Sequence, residues 1–113
     1  MASQYSAFNV FLRTEYAFFE EQLGHFERSE KELKEILSLE PAYLNARLLL
    51  AQVYFKQGKY EEAKKEIQEV ESLEKRYGNL KDAINEPYVT KLITVNNAYK
   101  NELKSLILNA PNP

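Results

Sequence analysis

The sequence predicts an all-α fold in which a helical hairpin is used twice and then closed by a C-terminal amphipathic helix. Three observations lead there. Tyr54 to Ala63 reads as the end of one helix, a tight turn at Gly58 and the start of another, since glycine takes positive φ without steric cost and good helix formers follow it. Stepping back 34 residues repeats the pattern: Gly58 falls on Gly24, Tyr60 on Phe26, Ala63 on Ser29, Ile67 on Leu33, Val70 on Ile36 and Ala51 on Ala17. A fixed offset of that size is the period of a helical-hairpin repeat. Composition agrees, because 44% hydrophobic residues, 28% charged residues, three glycines and four prolines suit a packed helical chain rather than a disordered one.

The first helix is expected from about Phe8 to Leu23. Phe8, Phe11, Leu12, Tyr16 and Phe19 follow helical spacing, and with Phe18 added the apolar arc is wider than one buried face needs. Part of that arc must meet something besides the neighbouring helix. A second helix, Phe26 to Leu39, turns Leu33, Ile36, Leu37 and Leu39 inward and sets charges of alternating sign outward, the pattern of a solvated face. Pro41 interrupts, and the third helix runs from about Ala42 or Tyr43 through Gln57. The fourth, Tyr60 to about Arg76, places Ala63, Ile67, Val70 and Leu73 on its core side and stops at Tyr77-Gly78-Asn79.

From Leu80 the repeat fails, with Asn85 where a small apolar residue belongs and Leu92 where the turn glycine would fall. A short helical turn near Leu80 to Ile84 is expected to lead into one long helix from about Glu86 to Leu108. Asn85 is its candidate N-cap, and Pro87 sits in the first turn, where a missing N–H costs nothing. Tyr88, Leu92, Val95, Tyr99, Leu103 and Leu106 then form one continuous stripe. About 23 residues would extend about 35 Å, so the later turns are expected to lie as a lid over Phe18, Leu48 and Phe55 or to offer a surface to another chain.

This pattern resembles the tetratricopeptide repeat. One unit, about residues 44–77, offers Leu50, Ala51, Tyr54, Gly58, Tyr60, Ala63, Ile67 and Val70 but has Lys75 in the place of a closing proline. The other, about residues 10–43, offers Ala17, Gly24, Phe26, Ser29, Leu33, Ile36 and Pro41 but has Glu20 where a large apolar or aromatic residue is usual. The resemblance implies a right-handed helical-hairpin repeat forming a single domain over residues 1–113, capped by an amphipathic helix at about 80–109. It also implies a noncatalytic scaffold that binds an apolar or amphipathic protein segment in the groove lined by the first helix of each hairpin. Phe11, Thr14, Phe18 and Glu21 occupy the groove positions of the first unit, and Asn45, Leu48, Gln52 and Phe55 those of the second. The competing expectation is that the chain's own last helix covers these residues, since repeat arrays need a capping element. Self-association through the C-terminal helix, with a second copy of the chain as partner, is the alternative function.

Several classes are disfavoured. Members of the family that hold the carboxylate end of chaperone tails use Lys, Arg and Asn side chains in the groove. Thr14, Phe18, Leu48 and Gln52 stand at the matching places here, so a carboxylate clamp is not expected, a buried carboxylate having no cation to offset its desolvation. A net charge of −2 argues against nucleic acid as a partner. No run is long enough to span a membrane, the first residues do not read as a secretory signal, and a cytoplasmic setting is expected. The chain lacks cysteine, its one histidine, His25, sits in a turn, and no phosphate loop or two-histidine metal spacing is present. Enzyme activity, a cofactor and a metal are therefore not expected.

Overall fold

The computed structural model describes residues 2–78 and 86–110, with side chains described from residue 10 onward. Six helices lie within the described residues: α1 (Ala2–Gln22), α2 (Phe26–Leu39), α3 (Leu44–Lys56), α4 (Tyr60–Tyr77), α5 (Pro87–Ile93) and α6 (Asn97–Leu108). Successive helices pack as α1 on α2, α2 on α3 and α3 on α4, and α6 packs on α4 with a smaller contact to α3. The result is an elongated body of 45 × 28 × 20 Å.

Both hairpin turns are built alike. Gly24 has φ +83° and Gly58 φ +77°. Around the first, the His25 N–H donates to the Glu20 carbonyl at 2.8 Å and the Gly24 N–H to the Glu21 carbonyl at 3.0 Å. Around the second, the Lys59 N–H donates to the Tyr54 carbonyl at 2.8 Å and the Gly58 N–H to the Phe55 carbonyl at 3.1 Å. This is the Schellman arrangement, which satisfies two helix-end carbonyls and needs a left-handed residue at its centre. After each turn the chain re-enters a helix with acidic residues in the first turn, Glu27 in α2 and Glu61 and Glu62 in α4, where they complement the helix dipole.

The crossings within each hairpin are close because the facing side chains are small. Ala17, Ser29, Ala51 and Ala63 are all fully buried. Ser29 adds a hydrogen bond, its hydroxyl donating to the Ala17 carbonyl at 2.7 Å, so the polar atom that the alanine pattern lacks is satisfied. Around the crossings lie Leu33, Ile36, Leu44, Leu48, Val53, Ile67 and Val70. Leu39, expected on the inward side of α2, is exposed at that helix's last turn. Glu20 stands where the first hairpin would have an aromatic. It is buried, with His25 Nδ1 2.8 Å away and Arg28 at 3.9 Å, so a polar cluster replaces the ring that Tyr54 provides in the second hairpin.

The long C-terminal helix is corrected to two shorter ones. Thr94 is extended at φ −98°, ψ 133°, its hydroxyl donates to the Thr90 carbonyl at 2.5 Å, and the Asn96 side chain accepts the Tyr99 N–H at 3.1 Å. The β-branched run Ile93-Thr94-Val95 lowers helix preference, and a following asparagine with a cap to make turns the break into a new start. Glu86 caps α5 by accepting the Val89 N–H, with Pro87 at the first helical position. The expected cap Asn85 and the turn at 80–84 lie outside the described residues. The break also shifts the buried stripe: Leu92, Ile93, Val95, Leu103 and Ile107 are buried, whereas Leu106 is exposed. The expected lid over Phe18, Leu48 and Phe55 is likewise corrected. The later turns of α6 rest on α4, where Lys100 pairs with Glu74 and Lys104 with Glu71, both at 2.7 Å, and Ile107 lines a cleft with Ile67. No described helix is long and apolar enough to cross a membrane.

Candidate functional site

The first helices of the two hairpins, α1 and α3, lie side by side, and the face they share is crossed by α5. Tyr88 of α5 stacks edge-on against Phe11 at 5.4 Å and donates its hydroxyl to Glu40 at 2.6 Å. Burial, followed by the Glu40 carboxylate, holds this phenol well above its ordinary pKa. Lys91 lies 4.1 Å above the Phe11 ring, within range of a cation–π attraction, and Tyr43 meets the same ring edge-on at 5.3 Å. Phe11 is thus the seat of α5.

Beyond α5 a cavity of about 270 Å³ remains open. Phe11, Thr14, Glu15 and Phe18 of α1 form one wall, Asn45, Leu49 and Gln52 of α3 the other, with Tyr43 between them and Lys91 and Tyr99 at the C-terminal side. Phe18 is 49% exposed at the lip. Gln52 accepts a hydrogen bond from the Tyr99 hydroxyl, which ties the start of α6 to the groove floor. Burial holds the Tyr99 phenol above its ordinary pKa, and the nearby Glu21 carboxylate adds to the effect.

Five of the eight residues placed in the groove by sequence therefore meet around one cavity: Phe11, Thr14, Phe18, Asn45 and Gln52. The other three do not line it. Leu48 is fully buried in the hairpin core, so it offers no surface, and Leu49 takes its place. Positions 45, 48, 52 and positions 45, 49, 52 both fit a helix face; only the packing of α2 against α3 separates them. Phe55 packs at 5.6 Å on Tyr60, inside its own hairpin. Glu21 is buried and ion-paired to Lys56, at the end of the groove nearest the glycine turns. Burial alone would raise its carboxyl, but hydrogen bonds from Lys56, Gln52 and Gln22 outweigh it and hold the group below the ordinary carboxylate range. Tyr43, Lys91 and Tyr99 had no signal at the repeat period, because two of them come from the segment where that period fails.

The lining is mainly apolar with a polar rim, a setting that can hold an apolar side chain. Lys91, at one edge, is the cation among the lining residues. Thr14, Phe18 and Gln52 contribute none, and no group of three His, Cys, Asp or Glu able to hold a metal occurs among the described residues.

No curated protein and no solved structure matches the chain at a significant level. A family model described as tetratricopeptide repeat matches residues 20–84, from the last turn of α1 through both glycine turns to beyond α4. That match spans more than half of the sequence and covers both glycine turns and the crossing of α3 on α4, and the chain belongs to the tetratricopeptide repeat family.

Proposed function

We propose that this protein is a noncatalytic scaffold that holds an apolar or amphipathic segment of another protein in the groove between α1 and α3. Tetratricopeptide repeats mediate protein–protein interactions; the finer reading concerns where and what this one binds. The observation that supports it most is the partly filled groove. The α5 helix occupies the Phe11 end, and the cavity beside it keeps the exposed Phe18 ring at its lip. A volume of about 270 Å³ suits one large apolar anchor rather than a whole helix or a drug-sized ligand. The occupant is therefore a short segment with one such anchor and polar neighbours that reach Asn45, Gln52 and Lys91. Residues 1–113 act as one unit in this reading, with the hairpins as walls and the C-terminal helices as both cap and partial filling. Neither a nucleic acid nor a chaperone tail held by a carboxylate clamp is the proposed partner.

A displayed random-peptide library selected against the whole chain tests this. Enriched peptides are expected to share a large apolar residue, to shift the backbone resonances of Phe18, Asn45 and Gln52, and to lose at least tenfold in affinity on Phe18→Glu without a change in melting temperature. Peptides that bind equally well to the Phe18→Glu chain would refute the assignment. The alternative, self-association through the C-terminal helix, has less apolar surface to draw on, because Leu92, Val95 and Leu103 are already buried within the chain.

A further inference from the structure

Among the described residues, four of the eight large apolar side chains left exposed lie away from the groove, along the outer face of α1 and the turn that ends it. Leu12, Tyr16, Phe19 and Leu23 are 53%, 61%, 65% and 57% exposed. Their spacing of four, three and four residues sets them in one line along the helix, the seam of a two-helix coiled coil. The opposite side of α1 is already in use, since Val10, Ala17, Glu20 and Glu21 are buried and Arg13 pairs with Glu32 and Glu35 of α2. The described residues therefore leave the seam more than half exposed.

We propose that this seam pairs with the same seam of a second copy of the chain, the two α1 helices running antiparallel about a two-fold axis midway between Tyr16 and Phe19. The stripe is its own complement. Spacings of four, three and four read the same in either direction, so a two-fold axis at the centre sets Leu12 against Leu23 of the other copy and Tyr16 against Phe19. Aliphatic ends meet aliphatic ends and aromatic rings meet aromatic rings. Charge agrees with that direction. Of the residues flanking the seam, Arg13 and Glu20 keep their partners within the chain, and antiparallel pairing sets the exposed Glu15 against Gln22 of the other copy, leaving no like charges opposed.

The area is sufficient. With large apolar side chains of roughly 200 Å² each, the four present on the order of 500 Å², near the top of what a monomer ordinarily exposes in one patch. Two such patches supply at most about 1,000 Å², which reaches the threshold of a specific interface together with the flanking polar side chains. The groove opens on a different side of α1, through Phe11, Thr14 and Phe18, so the dimer leaves it free.

Light scattering or sedimentation of the full chain from micromolar to millimolar concentration tests the pairing. The mass is expected to rise from one chain to two, and Phe19→Glu is expected to weaken the dimer about 100-fold or more, since symmetry introduces the change twice at the centre. Its unfolding transition at low concentration should match the parent, because residue 19 is exposed in the single chain. Orientation is read by cross-linking, which the absence of cysteine makes clean. Mixed Leu12→Cys and Leu23→Cys chains are expected to form a disulfide, while Leu12→Cys alone should not, its two copies being roughly 16 Å apart along an antiparallel axis. A single-chain mass over the whole range, or a dimer indifferent to Phe19→Glu, overturns the proposal and leaves the seam to a helix of a different protein. Efficient self-linking of Leu12→Cys overturns the antiparallel geometry.

Discussion

Helices α1 and α3 hold the same place in their hairpins, yet α3 is buried over most of its surface and α1 only on one side. In α3, Leu44, Ala46, Leu48, Leu49, Leu50, Ala51, Val53 and Tyr54 are buried, so no single face can be called its core face. Among the described side chains of α1 only Val10, Ala17, Glu20 and Glu21 are buried, and two of those are acids, while Leu12, Tyr16, Phe18, Phe19 and Leu23 remain exposed. The difference does not follow from apolar content, in which α1 is rich. It follows from position: α3 has α2 and α4 on its flanks and α5 and α6 across it, whereas α1 has α2 on one flank and an uncovered seam on the other. A repeat pattern tells which residues face a neighbour, and the array decides whether the neighbour is there.

The largest expected contrast tests that difference directly. Leu48→Ala empties a fully enclosed site and should cost about 2–5 kcal/mol, whereas Leu12→Ala, half in water already, should stay within roughly 0.5 kcal/mol. Chemical denaturation of both variants at low concentration decides it, and similar losses would mean that α1 is covered in solution. Ala63→Leu should cost roughly 1–3 kcal/mol by forcing α3 and α4 apart, measured as a lower melting temperature; an unchanged value would disprove the close crossing.

The turns are where the hairpins ought to behave alike. Gly24→Ala and Gly58→Ala each put a Cβ on a left-handed residue, though neither would clash with a neighbouring atom, and each should lose about 1–2 kcal/mol. Unequal losses in matched denaturation curves would show that one turn is strained by more than its own backbone.

A smaller effect separates the acidic end of α1 from the apolar face of α3. The Glu21 carboxyl is depressed in the fold, so its ion pair with Lys56 stabilises fully above the unfolded value near 4.5 and loses that contribution as pH falls through the lower folded value. Stability of the parent should decline below about pH 4.5, and Glu21→Gln should flatten part of that decline in acid denaturation profiles. The smallest expected effect is that of salt on peptide binding. A lip formed by Phe18 and a floor formed by Leu49 depend little on screening, so affinity should change no more than a few-fold between low and physiological salt; a steep dependence would shift the weight to Lys91 and Glu15.

The hairpins were legible in the sequence because their causes are local. A glycine that must take positive φ and apolar residues recurring along a helix depend on near neighbours in the chain, so Gly24 and Gly58 could be assigned their roles from spacing, and Ala17, Ser29, Ala51 and Ala63 theirs from the resemblance to the tetratricopeptide repeat. Of the groove positions that the tetratricopeptide resemblance implies, Phe11, Thr14, Phe18, Asn45 and Gln52 line one cavity. Three things had to wait for the tertiary structure. Leu48 and Leu49 are equally good groove residues on a helical wheel, and only α2 lying against α3 buried the first completely and left the second beside the cavity. The stripe from Tyr88 to Leu106 reads as one helix by periodicity, but a break at Thr94 to Asn96 lets α5 enter the groove while α6 covers α4, two surfaces that one straight rod could not cover together. The seam on α1 has the spacing of a buried face, and its exposure is a property of what stands next to it, which no local pattern records.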